Sequence, residues 1–373
     1  MMRTAWHIGK IRGIDINIDP SWLIIFALVV FTLSGAYFPQ QYPGWPNWLY
    51  WVIGTITGVL FFASVLGHEL SHSLIAMRQG GKVRSITLFI FGGIAQIAEE
   101  PDNPRKEFVM AIMGPVSSLV IAFVFFIIWV SLRSISEPIG ALARYLAIIN
   151  VILAVFNLIP GFPLDGGRVL RAVIWSTSKN LKTATRIASR VGQSIAVLFI
   201  LFGILLIFRG LWLNGFWFIF IGWFLYSAAV KSYRQIIVRE MLMDLKAEDL
   251  MTRDFEAIPK NLTIQQLVEQ HILKKRERTF IVVDDGEFQG VICLDDIKDT
   301  PRDRWESTSV GEAMTPKDQL KPLSPEDDGN KVLARLNAEN VHELPVVDRD
   351  KLVGILCQSD VIKALHLHME LGI

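Results

Sequence analysis

Six uncharged, apolar runs of spanning length fill the first 230 residues, and they leave this chain few folds to choose from. They are Pro20–Phe38, Trp48–Gly67, Phe108–Leu132, Tyr145–Leu164, Val191–Phe208 and Gly210–Val230. A helix needs about 20 mostly apolar residues to cross the hydrocarbon core of a bilayer. One such run suits a buried helix of a soluble protein. Six in one chain predict a polytopic α-helical membrane protein. Arg209 alone separates the last two runs, so a tight hairpin is expected there. Charged residues are sparse from Pro20 to Val230 and dense from Lys231 onward. The expected division is therefore a transmembrane domain over 1–240 and a soluble domain over 241–373, joined through the short stretch Lys231–Leu245.

Lysine and arginine counts orient the spans, because short cytosolic loops are enriched in both. With the N-terminus inside, the outer segments hold only Arg133, Arg144 and Arg209. The inner ones hold Arg3, Lys10, Arg12, Arg78, Lys82, Arg84, Arg105, Lys106 and the basic residues of 168–190 and 231–239. Both termini are thus expected in the cytosol. The first span lacks a small-residue cleavage pattern and is read as an uncleaved anchor. The whole chain carries 37 basic and 36 acidic residues, a balance that offers nucleic acid no electrostatic footprint. The two cysteines, Cys293 and Cys357, lie in the polar half and are read as reduced thiols rather than as a disulfide scaffold.

One apolar stretch is too short to span. Ser85–Ala98 is uncharged for 14 residues, rich in β-branched and aromatic side chains, and holds the pair Gly92-Gly93. It suits a strand or hairpin that dips into the bilayer from the cytosolic side, which requires shelter by protein or a wet cavity.

At the end of the second run stands His68-Glu69-Leu70-Ser71-His72. On a helix the two histidines are one turn apart and face the same way, so both imidazoles reach one ion. Neutral imidazoles with a carboxylate suit zinc, which leaves a fourth position for water and lowers its pKa to about 7. Glu69 is placed to take a proton from that water. Ionisable groups at the edge of an apolar helix are costly unless paired, hydrated or metallated. Asp165 is the candidate third ligand: it follows 20 uncharged residues, at the end of a segment broken by Pro160, Gly161 and Pro163. Asn157 is a candidate donor to a developing oxyanion or to substrate backbone, with a polar contact between spans as its alternative.

These residues resemble the site-2 protease family of intramembrane metalloproteases. The resemblance rests on HELSH at 68–72, on NLIPGFPLDGG at 157–167 and on the order of spans, and covers about residues 1–230. It implies zinc held by His68, His72 and Asp165, with Glu69 as catalytic base and Asn157 at the family's asparagine position. Gly92, Gly93 and Ile94 fall on the family's membrane-dipping strand, which clamps an unwound substrate. Gly114-Pro115 with Ser118 looks like its small-residue packing motif. No PDZ-like insertion separates the second and third spans. The clamp has a physical reason. A peptide bond in a helix has its carbonyl tied up by backbone hydrogen bonds, and adding the substrate as a strand along 86–97 would replace them.

Residues 247–367 repeat internally at an offset of 63 to 64: Asp249–Thr252 recurs as Glu312–Thr315, Val282–Asp284 as Val346–Asp348, and Gly290–Asp296 as Gly354–Asp360. Each copy reads as a βαββα unit. The pattern resembles a tandem pair of CBS domains, at about 245–300 and 307–370. The fold class expected for the whole chain is therefore six spans with a membrane-dipping β segment, plus a soluble α/β CBS pair. By that resemblance an adenine nucleotide is a candidate ligand, with Asp296 and Asp360 on ribose hydroxyls. Cys293 and Cys357 stand where a hydroxyl donor would help with phosphate, and thiols donate weakly. A homodimer through the pair is the other expectation.

The function expected is cleavage of membrane-protein substrates in the bilayer of a prokaryotic cell, regulated by the CBS module. A CBS-gated transporter or channel explains the spans and the repeat but not HELSH with the aspartate. A pseudoprotease that binds without cutting fits poorly with an intact Glu69.

Overall fold

A computed structural model describes residues 5–90, 92–97, 101–253, 257–275, 279–320, 322–339, 343–349 and 351–371. The chain divides into two units, Met1–Arg234 and Gln235–Ile373.

The first unit opens with a hairpin of β1 (Trp6–Ile11) and β2 (Ile14–Ile18). Its two-residue turn, Arg12-Gly13, has positive φ at both positions, the geometry that matches the twist of paired strands. Then come α1 (Ser21–Thr32), a π turn at Leu33–Tyr37, α2 (Phe38–Gln41), α3 (Asn47–Arg78), β3 (Val83–Phe89) and β4 (Gly92–Ile97). The helices α4 (Pro104–Leu132), α5 (Glu137–Asn157), α6 (Asp165–Ser178), α7 (Leu181–Phe208) and α8 (Trp212–Asp244) follow. Among the described residues, six helical stretches are long and apolar enough to cross a membrane: Ser21–Gln41, α3, α4, α5, α7 and α8.

Several expected boundaries move. The second span runs on through HELSH to Arg78, with His68 and His72 buried against protein. The fourth occupies Glu137–Asn157 rather than 145–164. Pro160 and Pro163 cannot continue a helix, so the chain turns at Leu158–Leu164 and restarts as α6, whose first helical residue is Asp165. The fifth span begins at Leu181 rather than Val191. The stretch from Lys231 to Asp244, expected as a connection, is the last part of α8.

The 83–97 segment is a hairpin within a four-stranded sheet of order β1-β2-β3-β4; Ala98 lies outside the described residues. β2 and β3 run parallel, from Asp15↔Ser85 to Ile18↔Leu88. Buried Ile14, Ile16, Val83 and Ile86 fix the sheet against Ala76 of α3 and Met110 of α4. β4 pairs with β3 alone, which leaves its other edge unpaired among the described strands.

The second unit begins with the end of α8 and α9 (Ala247–Leu250), and continues as β5 (Ala257–Pro259), α10 (Ile264–Leu267), a π turn at Val268–Ile272 and α11 (Leu273–Lys275). β6 (Thr279–Asp284), β7 (Glu287–Cys293) and α12 (Leu294–Asp299) complete the first copy. The second holds α13 (Val310–Ala313), β8 (Thr315–Pro316), α14 (Gly329–Glu339), β9 (Glu343–Asp348), β10 (Lys351–Cys357) and α15 (Gln358–Leu371). The copies exchange edges: β8 joins β7 of the first copy, while Thr252 bridges Ile355 of the second. Two buried clusters result, one around Phe280 and Ile292 that takes in Val310 of the second copy, the other around Leu344 and Leu356 that takes in Ala247 and Leu250 of the first. Leu242, near the end of α8, belongs to the second cluster and is 2% exposed.

Candidate metal centre

α3 carries His68 and His72 on one face, and both are buried, at 4% and 5% exposed. The turn at Leu158–Leu164 brings Asp165 to them. Asp165 Oδ2 lies 3.0 Å from His68 Nε2 and 3.2 Å from His72 Nε2, and the two Nε2 atoms are 3.3 Å apart. Zinc bonds of about 2.0–2.1 Å in a tetrahedron place its ligand atoms roughly 3.3 Å from one another. The three donors therefore fit one face of a zinc tetrahedron, whose fourth corner would be left to water or substrate. Among the described residues this is the one cluster of three such donors.

The remaining ring nitrogens are held by α4. His72 Nδ1 donates to the carbonyl of Met110 at 2.7 Å, and His68 Nδ1 lies 2.9 Å from Ser118 Oγ. A carbonyl accepts only, so the His72 proton is held on Nδ1 and Nε2 keeps its lone pair for an ion. α4 approaches closely because position 114 is glycine. A Cβ there would lie 2.1 Å from His72 Nε2 and 2.6 Å from His68 Nε2. Gly114 and Ser118, expected as a packing motif, thus touch the imidazoles of the donor cluster themselves. Nothing in their spacing reveals this without the fold.

α6 is anchored to α4 a turn and a half beyond Asp165. Arg171 Nε donates to Glu107 Oε1 at 2.6 Å, its guanidinium lies over the Phe162 ring at 5.1 Å, and both ionic partners are buried. The 158–164 turn and the start of α6 are thereby tied to the helix that orients the histidines.

Glu69 lies between the donor cluster and the sheet. A Cβ on Gly93 would come within 2.4 Å of Glu69 Cγ, so the glycine lets β4 rest against this side chain. A cleft of about 540 Å³ opens here, lined by His68, Glu69, His72, Asp165 and Asn157, by Gly92, Gly93, Ile94 and Ala95 of β4, and by Arg168, Phe224 and Ala228. Asn157 Nδ2 donates to Leu153 O at 3.0 Å, so one of its N–H groups is engaged within α5. Arg168, counted from sequence only as a cytosolic charge, stands in the cleft. Its spacing of three residues from Asp165 is the signal that could have placed it there.

Asp296 and Asp360 occupy equivalent positions in the second unit. Each accepts from the backbone N–H that opens its own helix: Cys293 N to Asp296 Oδ2 at 2.7 Å, and Cys357 N to Asp360 Oδ2 at 3.3 Å. Both therefore act as helix caps here.

A model of peptidase family M50 matches residues 56–141 and 130–201, and a CBS-domain model matches 247–302 and 310–367. The protein sll0528 of Synechocystis sp. is 38% identical over 98% of this chain and 96% of its own length. Rip3 of Mycobacterium tuberculosis is 30% identical over 98% of this chain and 94% of its own. Both are named as candidate zinc metalloproteases. Among solved structures, a site-2 protease from Methanocaldococcus jannaschii is 28% identical and aligns over 62% of this chain and 95% of that one, with a TM-score of 0.44.

Proposed function

The chain belongs to peptidase family M50, the site-2 proteases, as an integral-membrane zinc metalloprotease with a tandem CBS pair; from this premise we propose that it cuts membrane proteins within or beside their spanning segments. The observation that carries the reading is the convergence of His68 Nε2, His72 Nε2 and Asp165 Oδ2 at mutual distances of 3.0–3.3 Å, beside Glu69 and the unpaired edge of β4.

In this proposal His68, His72 and Asp165 hold zinc. Zinc held there would supply a Lewis acid for the scissile carbonyl and lower the pKa of water. Glu69 takes a proton from the attacking water and returns it to the leaving nitrogen. The edge of β4 at Gly92, Gly93 and Ile94 takes the substrate as an added strand, replacing the hydrogen bonds lost when its helix unwinds. Gly93 brings that strand against Glu69, so the extended peptide and the base share one wall of the cleft. The second N–H of Asn157, which has no partner among the described residues, is left to bind substrate backbone.

The charge distribution supports cytosolic termini, and the bacterial and archaeal relatives support a prokaryotic cell membrane as the setting. A cytosolic CBS pair that changes arrangement with bound adenine nucleotide, or that pairs two copies of the chain, would regulate access of substrate. This requires unequal affinity of the ligand for two arrangements.

The test is proteolysis of a membrane-embedded substrate by purified protein. Chelator should abolish cleavage and zinc should restore it. His72→Ala and Asp165→Ala should lose the metal, whereas Glu69→Gln should keep it and turn over at least ~10²-fold more slowly. Wild-type turnover by Glu69→Gln would remove that residue as the base. Full zinc occupancy in Asp165→Ala would remove the aspartate from the ligand set.

A further inference from the structure

Among the described residues that line the cleft, Arg168 is the single lysine or arginine. It lies on α6 three residues after Asp165, so both side chains leave one face of the helix. Arg171, three residues further on, is spent on Glu107. Arg168 differs. No described carboxylate lies within ion-pair distance of it, and its side chain donates no hydrogen bond to a described residue.

A guanidinium stays protonated at every ordinary pH. Holding that charge in a cleft among apolar helices is costly when the carboxylates that share the cleft, Glu69 and Asp165, stand beyond ion-pair distance, and such a group is retained where an anion arrives during function. The reaction proposed for this site supplies one, and the inference rests on that reading. We propose that Arg168 is the anion-binding group of the cleft. Its guanidinium donates hydrogen bonds to the substrate's carbonyl oxygen as negative charge builds there, and then to the carboxylate that cleavage leaves.

In the first step the oxygen of water bonds to the carbonyl carbon, one water proton passes to Glu69, and the π pair of the C=O bond moves onto oxygen. Glu69 loses its negative charge as that oxygen gains one, and Arg168 shares the cleft with both. In the second step the pair re-forms the C=O bond, the C–N bond breaks, and the leaving nitrogen takes the proton from Glu69. The new acid then passes its own proton to the released amine. The resulting carboxylate offers two coplanar oxygens, the geometry a guanidinium fork matches. Asn157 is the weaker candidate for this role, because it is neutral and already donates to Leu153 O.

The experiment has two arms on the full-length protein in detergent. The first uses chelator-treated, metal-free protein and measures binding of N-acetyl-leucyl-leucine as its carboxylate and as its carboxamide. Wild type should favour the carboxylate by about 10-fold, Arg168→Met should show no preference, and Arg168→Lys should fall between them. No preference in wild type, or the same preference in Arg168→Met, overturns the proposal. The second arm uses zinc-loaded protein. Arg168→Met should retain about one zinc per chain while kcat falls by about 10²-fold, the scale of losing an oxyanion donor, with KM changed much less. Wild-type kcat in Arg168→Met overturns it as well. If wild type and Glu69→Gln prove equally inactive, the protease reading fails, and the carboxylate arm still decides the role of Arg168.

Discussion

At the scale of single residues, the proposed zinc site would depend on groups that supply no ligand atom. A methyl at position 114 would collide with both imidazoles, so Gly114→Ala should lose most of its zinc by elemental analysis. Ser118→Ala removes the hydroxyl at His68 Nδ1. Outer contacts of this kind contribute about 10–100-fold in metal affinity, which competition against a chelating dye would read. Unchanged affinity in Ser118→Ala would leave that residue a packing role only. Cys357 gives a pH-dependent prediction. Burial first, then the nearby carboxylates of Glu343 and Asp360, push its thiol up to about 12. Only about one thiol in 10⁴ is ionised at pH 8, and the thiolate is the reactive form. In a Cys293→Ser background, alkylation of Cys357 should be slow at pH 8 and rise tenfold per pH unit through pH 10. A rate that levels off near pH 9 would show an ordinary thiol.

Elements meet at the site through one ion pair and one sheet edge. Glu107 of α4 and Arg171 of α6 are 0% and 4% exposed. Removing one partner strands a buried charge, at a cost of about 3–5 kcal/mol, whereas replacing both by apolar residues restores much of the loss. Arg171→Met should therefore unfold at markedly lower temperature in detergent, and Glu107→Met/Arg171→Met should recover. A double variant less stable than Arg171→Met would mean that the pair is not acting as a unit. The β4 edge calls for a different probe from the one its glycines suggest. Valine at position 93 would displace Glu69, so Gly93→Val should impair every substrate alike. Ile94 follows Gly93 on β4, lines the same cleft and is 45% exposed. Ile94→Ser should slow cleavage of a helical membrane substrate several-fold more than that of a short unstructured peptide. Equal slowing would place the substrate elsewhere than along β4.

For the molecule as a whole, the open question is what the CBS pair contributes. Asp296 and Asp360 cap their own helices, so changing either to alanine removes a cap worth about 1 kcal/mol as well as a nucleotide contact. Asp296→Asn and Asp360→Asn are the cleaner variants. If the pair binds ATP or AMP, each should weaken binding by about 1–3 kcal/mol, and proteolysis should lose its nucleotide dependence with zinc in place. Calorimetry on the full-length protein tests this. No heat with millimolar ATP, ADP or AMP would leave the pair as a dimerisation element. A fragment for such work should begin no later than Gln235, since Leu242 lies in the core of the second copy.

What the sequence determined by itself follows from short-range rules. Twenty uncharged residues specify a span, an i, i+4 histidine pair specifies one helical face, and a 63- to 64-residue offset specifies a duplicated unit. Paired histidines with Glu69, and a lone aspartate after a proline-broken segment, announce metal chemistry because charge in an apolar setting needs a reason. What tertiary structure decided is everything that depends on distant segments meeting. The sheet that presents β4 is completed by the N-terminal hairpin, whose alternating Ile14 and Ile16 carry a strand signal too brief to stand apart from the spans. Met110, Gly114 and Ser118 look like helix packing until α4 is set against α3. Arg168 is one more basic residue until the turn at 158–164 swings the start of α6 into the cleft. In each case the local signal is ordinary, and the role comes from contacts across long stretches of chain, which no pattern along the sequence encodes.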